Sequence, residues 1–198
     1  MGFINTKIQN NKFLTMKMSL DELKYPIGKF NWPKEITADG IKNCIKSIEN
    51  FPDLLKTEVD KLKSEELAYI YRPEGWSIQQ VVHHCADSHS NAFTRFKLAI
   101  TEDKPTIKPY LENLWAQLPD VTEAPIEWSL SILNGLHNRW VLLLKNITNE
   151  QWKRVFIHPE HGREITLESA VYLYAWHCNH HLAHVIQAKK FKDNFENL

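Results

Sequence analysis

Apolar residues return every three or four positions along most of this chain, and no long stretch alternates apolar with polar. That period belongs to amphipathic helices. Ile41, Ile45, Ile48, Leu55, Val59 and Leu62 form the first series, with Thr37 placed to cap it. Pro52 interrupts the series and predicts a kink or a split. After a loop at Tyr71 to Gly75, Ser77 opens a second helix to about Thr101, with Val81, Ala92, Phe96 and Ala99 on one side. Residues 102–125 hold four prolines and read as a long connection with a short helix near Leu111–Leu118; connections that long are often functional. A third helix spans 126–147 on Leu130, Leu133, Val141 and Leu144. His161-Gly162 between Arg154–His158 and Arg163–Thr166 is a turn signal for a short hairpin. The last helix starts near Thr166 or Leu167 and runs to about Phe191. Four long amphipathic helices predict an all-α, up-down four-helix bundle.

Before the bundle, residues 19–36 carry Pro26, Gly28 and Pro33 and read as an extended arm that packs through Tyr25, Ile27, Phe30 and Trp32. Residues 1–18 are polar and rich in Asn and Lys, without the apolar block of a signal peptide, and read as a flexible extension. Residues 19–198 then form a single domain.

Lys+Arg and Asp+Glu are 24 each, so the formal charge is zero and no basic excess invites nucleic acid. No apolar stretch is long enough to span a bilayer. Cys44, Cys85 and Cys178 are odd in number and form no CxxC pair, which fits a reducing cytoplasm better than a disulfide framework.

The ten histidines change the picture, because they cluster. His83, His84 and His89 lie on the second helix; His177, His180, His181 and His184 lie on the last. Each helical residue turns roughly 100° about the axis. On the last helix Leu167, Ala170, Val171, Tyr174, Cys178 and Val185 define the apolar face. His181 points close to its centre and His177 sits nearby, four residues away on the same side. His184 lies further round, and His180 at the polar edge. On the second helix the same exercise brings His84 inward, places His83 on the far side and His89 near the outer edge, and reads both, with His158, as surface groups. Ser88 and Arg95 share the side of His84, and an inward Arg calls for an anion or a carboxylate. Two imidazoles at i,i+4 plus one from a second helix can hold a divalent ion and leave a fourth position open, the catalytic rather than the structural arrangement for zinc. Zn²⁺ is the expected ion, with Ni²⁺ as the alternative. Cys85 and Cys178 point away from that ion and read as core thiols. His137 shares an apolar face and reads as a core residue, a supporting donor or a fourth ligand.

At this point the chain resembles the DinB-like superfamily, and within it the YfiT group of metal-dependent hydrolases. The resemblance runs from Lys24-Tyr25-Pro26-Ile27-Gly28-Lys29-Phe30 nearly to the C-terminus. It is carried by GWSIQQVVHHCADSHSNAFTRFKLAITEDKPTIKPY, LHNRWVLLL, HPEHGR and LYAWHCNHHLAH. It implies a four-helix bundle with metal ligands at His84, His177 and His181, the same three that the helix faces select. Where relatives carry His-Leu-Ala-Asp, this chain has His84-Cys85-Ala86-Asp87. The resemblance further implies one zinc or nickel ion per chain, a cytoplasmic homodimer, and for some relatives thiol S-transfer with a small thiol such as bacillithiol.

Three readings of the chemistry follow. In metal-dependent hydrolysis the ion activates bound water, with Arg95 holding an anionic group and Asp87, His180 or His184 as candidate bases. In thiol transfer to an electrophile the metal presents a thiolate, and no protein base is required. The third is a non-catalytic metal- or ligand-binding module. The expected partner is a small-molecule substrate, with neither nucleic acid nor membrane.

Overall fold

The structure is a computed structural model that describes residues 18–160 and 162–195. The expected extension at 1–18 therefore lies, apart from Met18, outside the described residues. The arm is not extended throughout. Ser19 and Glu22 form a capping box, a reciprocal pair of bonds that opens helix α1, Leu20–Lys24. Beyond it the chain turns at Gly28, whose φ of +79° suits a residue without Cβ. Phe30 then sets its ring edge-on to Trp32 at 4.9 Å, and the Trp176 indole N–H donates to the Gly28 carbonyl at 3.2 Å.

Helix α2 covers Ala38–Val59 with Thr37 Oγ1 as its cap. It runs unbroken through Pro52, so of the kink or split expected there the split does not occur. Pro52 has no N–H for the carbonyl four residues back, and Ile48 O instead accepts from His137 Nδ1 at 2.6 Å. A side-chain donor thus replaces the missing rung of the ladder. Helix α3, Ile78–Thr101, starts at a Ser77–Gln80 capping box. The connection holds two single turns where one was expected: α4, Glu112–Trp115, and α5, Pro119–Thr122. Pro119 starts a helix well but continues one badly, which separates them. Helix α6, Ile126–Lys145, is followed by a further turn, α7, Asn149–Trp152, capped by Thr148. Strands β1, Val155–His158, and β2, Arg163–Thr166, pair antiparallel with Val155 opposite Thr166 and His158 opposite Arg163. Helix α8, Leu167–Phe191, closes the fold.

The expected four-helix bundle is formed by α2, α3, α6 and α8, with the hairpin just before the last helix. Its extensive pairings are α2 with α8 and α6, and α3 with α6 and α8. Helices α2 and α3 follow each other in sequence yet face each other across the diagonal. This order places α3 beside α8, the two helices that carry the clustered histidines. Phe51, Phe96, Trp140 and Phe156 fill the interior. Among the described residues no helix is long and apolar enough to cross a membrane, and Cys44, Cys85 and Cys178 are free and buried.

Candidate metal centre

The Ser77 cap fixes where α3 begins, and hence which side of it His84 occupies two turns later. From α8, His177 and His181 meet it. The ring centroids of His84 stand 4.7 Å from His181 and 5.5 Å from His177, and those two lie 4.4 Å apart. One nitrogen from each ring falls within 4.8 Å of the others. His84 and His181 are buried and His177 is half-buried. Tetrahedral zinc with nitrogen ligands at about 2.0–2.1 Å sets those nitrogens roughly 3.3 Å apart, a spacing that small side-chain rotations reach from here.

Burial, more than any other cause, holds these rings neutral. It lowers the His84 pKa to about 4, with a smaller push from His180, and takes His177 and His181 well below the usual range. Neutral imidazoles are the form that binds metal. Three lone pairs converging in an apolar bundle suit a cation of the zinc or nickel type.

Around this cluster Trp76 lies 4.6 Å from His84. His180 is buried, not at a polar edge, and stacks on Trp176 at 4.3 Å. Its Nδ1 is buried without a hydrogen-bond partner. His184 Nε2 is 3.1 Å from the Lys24 carbonyl, and its Nδ1 is 3.4 Å from His181 Nδ1.

Two cavities meet at the cluster. The larger, about 590 Å³, is walled by Ser88, Arg95, Tyr110, His158 and Tyr174. The smaller, about 360 Å³, is walled by Tyr25, Arg72, Trp76, His84 and His181. His177, Glu112 and Asn113 belong to both. The chain matches the model of the DinB superfamily over residues 48–185. It belongs to that superfamily. A Bacillus cereus protein named "Putative metal-dependent hydrolase" is 46% identical over 171 residues, 86% of this chain and 98% of the relative. One of the same description from Oceanobacillus iheyensis is 49% identical over 170 residues, with the same two coverages. Among solved structures, YfiT from Bacillus subtilis, described as a probable metal-dependent hydrolase with an unusual four-helix bundle topology, matches with a TM-score of 0.84 at 42% identity, over 86% of this chain and 98% of that one. A mycothiol-dependent maleylpyruvate isomerase shares the fold at a TM-score of 0.59 and 11% identity, over 73% of this chain and 60% of its own.

Within this DinB bundle the remaining candidates separate. Arg95 is half-buried, donates from its guanidinium to Tyr174 Oη at 3.0 Å, and faces the larger cavity with His177. Asp87 lies elsewhere, in a cleft of about 170 Å³ with His83, Asp120 and Ser129 that shares no wall with either cavity. Burial, then the charge of Asp120, lifts its carboxyl to about 6. His83 and His89 are buried rather than superficial. His83 bonds Ser129 Oγ at 2.7 Å and the Ala124 carbonyl at 3.2 Å, so it fastens the start of α6. His89 lies between His137 and His177. His137 is a buried partner of Ile48 and His89, outside the ligand cluster. His158 is half-buried in the cavity wall.

Sequence reasoning missed Glu112, the carboxylate on the wall that both cavities share. Its one signal was the length of the Pro-rich connection that carries it. Tyr110, from the same connection, does form cavity wall, with Trp115 packed on its ring at 4.5 Å.

Proposed function

We propose that this protein is a metal-dependent hydrolase that holds one divalent ion, zinc or alternatively nickel, on His84, His177 and His181. The observation that carries the reading is the convergence of three neutral imidazole nitrogens at the meeting point of two cavities. The names of the relatives agree with metal dependence. A bound ion would supply Lewis acidity and bring the pKa of water toward neutrality.

The chain's own residues supply the rest. Glu112, at the wall that both cavities share with His177, accepts the proton that the attacking water sheds. The Arg95 guanidinium, held by Tyr174, binds an anionic group of the substrate or the charge that develops on it. Trp76 and Trp176 shield the ligands from bulk water. Asp87 has no wall in common with this site and is left out of the mechanism.

The meeting of two separate cavities at His177 favours a second reading, thiol S-transfer, in which a low-molecular-weight thiol of the bacillithiol type occupies one cavity and its electrophile the other. We place the protein in the cytoplasm as a homodimer. Trp128, Ile132 and Leu142, exposed along one stripe of α6, offer a face for the second copy.

Elemental analysis of the wild type and of His84→Ala and His181→Ala tests the centre. About one zinc or nickel per chain, absent from both variants, is expected. Ester and amide substrates are then offered with and without thiol. Turnover independent of thiol and lost in Glu112→Gln supports hydrolysis, and turnover only with thiol supports transfer. A folded wild type that takes up no metal after incubation with zinc overturns both.

A further inference from the structure

Two chains of hydrogen bonds run from the ligand histidines of α8 to backbone carbonyls. The first begins at Ile48, whose carbonyl is free for a side chain because residue 52 is proline. A carbonyl can only accept, so His137 Nδ1, 2.6 Å away, carries a hydrogen. His137 is neutral, because burial lowers its pKa to about 4. Its Nε2 is therefore bare and accepts from His89 Nδ1 at 2.8 Å. His89, wholly buried between the rings of Phe51, His137, Trp140 and His177, has no anion among its ring neighbours to support a second proton, and it accepts through Nε2 from His177 Nδ1 at 3.0 Å. The hydrogen of His177 sits on Nδ1, and its Nε2 is left bare.

The second chain is shorter. The Lys24 carbonyl accepts from His184 Nε2 at 3.1 Å, so His184 Nδ1 is bare and faces His181 Nδ1 at 3.4 Å. His181 donates there and also keeps Nε2 free. Neither outcome involves a choice of tautomer by the ligand itself; each is dictated by an acceptor that has no hydrogen to give.

We propose that His137 and His89 on one side, and His184 on the other, are positioning residues that lock His177 and His181 in the Nδ1–H tautomer and so present Nε2 of both to the ion. The inference rests on the metal-centre reading above, and it extends it from which residues bind to which atoms do and why. Its sequence origin is Pro52, far from any ligand in the chain. The Ser88 hydroxyl, 3.4 Å from His177 Nε2, is a donor suited to the same bare nitrogen in the metal-free protein. The Cys178 thiol, 3.9 Å from His89 Nε2, is a weak donor that suits the bare state there.

The full chain, metal-free and labelled with ¹⁵N-histidine, is examined by long-range ¹H–¹⁵N correlation. The expected spectrum shows His177, His89, His137 and His181 protonated at Nδ1 and His184 at Nε2. A wild-type spectrum with the His177 hydrogen on Nε2 overturns the proposal without recourse to any variant. Zinc affinity is then measured by chelator competition. His137→Phe keeps the ring volume but offers His89 no acceptor. It is expected to weaken zinc binding by about ten- to hundredfold and to scatter the His177 tautomer. His137→Gln, which restores an acceptor, is expected to recover most of the affinity. A folded His137→Phe with wild-type affinity and an unchanged His177 signal overturns the relay. A wild type that binds no zinc but shows the Nδ1–H series defeats the metal reading and with it the role assigned to these residues, whereas zinc binding with the hydrogen on His177 Nε2 defeats the relay alone.

Discussion

The imidazole of His184 lies flat on the phenol ring of Tyr71, with centroids 3.7 Å apart and planes 13° from parallel. One helical turn on, the side-chain amide of Gln187 donates to two carbonyls, Leu23 and Tyr71, each at 2.8 Å. The two residues fasten the arm and the loop before α3 to the same stretch of α8. Gln187→Ala leaves two buried acceptors without a donor, at a cost of about 2 kcal/mol. For a chain of this size that is a fall in Tm of roughly 4–8 °C. A melting curve that overlays the wild type would show that water replaces the amide freely.

Ser77→Ala removes the side-chain oxygen that receives the Gln80 N–H. The loss of a cap costs about 1 kcal/mol, or roughly 2–4 °C in Tm. Ser77→Asp should restore it, because a carboxylate caps as well and favours a helix N-terminus. If alanine and aspartate melt alike, the cap does not set the start of α3.

The stability of the metal-free protein should depend steeply on acid. Burial above all lowers His84, His137 and His180 to about 4 and His184 to about 3. The unfolded chain takes up these protons from about pH 6.5 downward, while the native state refuses them until about pH 4. The unfolded state binds more protons throughout that window, so stability falls with pH, by about 1.4 kcal/mol per unit for each histidine. Asp87, raised to about 6, and Glu112, also raised chiefly by burial, oppose this. Urea midpoints between pH 7 and pH 4 measure the slope. A midpoint that stays level across that range contradicts the buried neutral cluster.

Metal should stabilise what acid weakens. At a free zinc concentration one hundred times the Kd, a site that exists only in the folded state gains about 2.7 kcal/mol, which raises Tm by roughly 5–10 °C. A chelator should reverse the shift, and His84→Ala or His181→Ala should abolish it. Equal shifts in both variants would place the zinc elsewhere.

Much of this molecule was legible in its sequence because one period served for both fold and site. The stripe that marks α8 as a bundle helix also points His181 and His177 inward, and Val81, Ala92 and Phe96 do the same for His84. What stayed hidden depends on partners rather than on period. A single apolar face on α3 points His83 and His89 outward, yet α3 is covered by α6, α8 and α5 together. Pro52 announced a break, and only the distant His137 could reveal how α2 passes through it. Glu112 belongs to a segment without regular period, where sequence offers no face to reason from.

The arm and the ligands divide the labour of the site. The ligands sit deep within two long helices whose packing fixes them. Part of the smaller cavity's wall hangs instead on Lys24, Tyr25 and the loop at Tyr71, which precede α3 in the chain. Coordination and access are therefore inherited through different stretches of sequence. Exchanging residues 19–36 between relatives should reshape the wall at Lys24 and Tyr25 while leaving the three imidazoles where they are, so the doorway can vary without rebuilding the hearth.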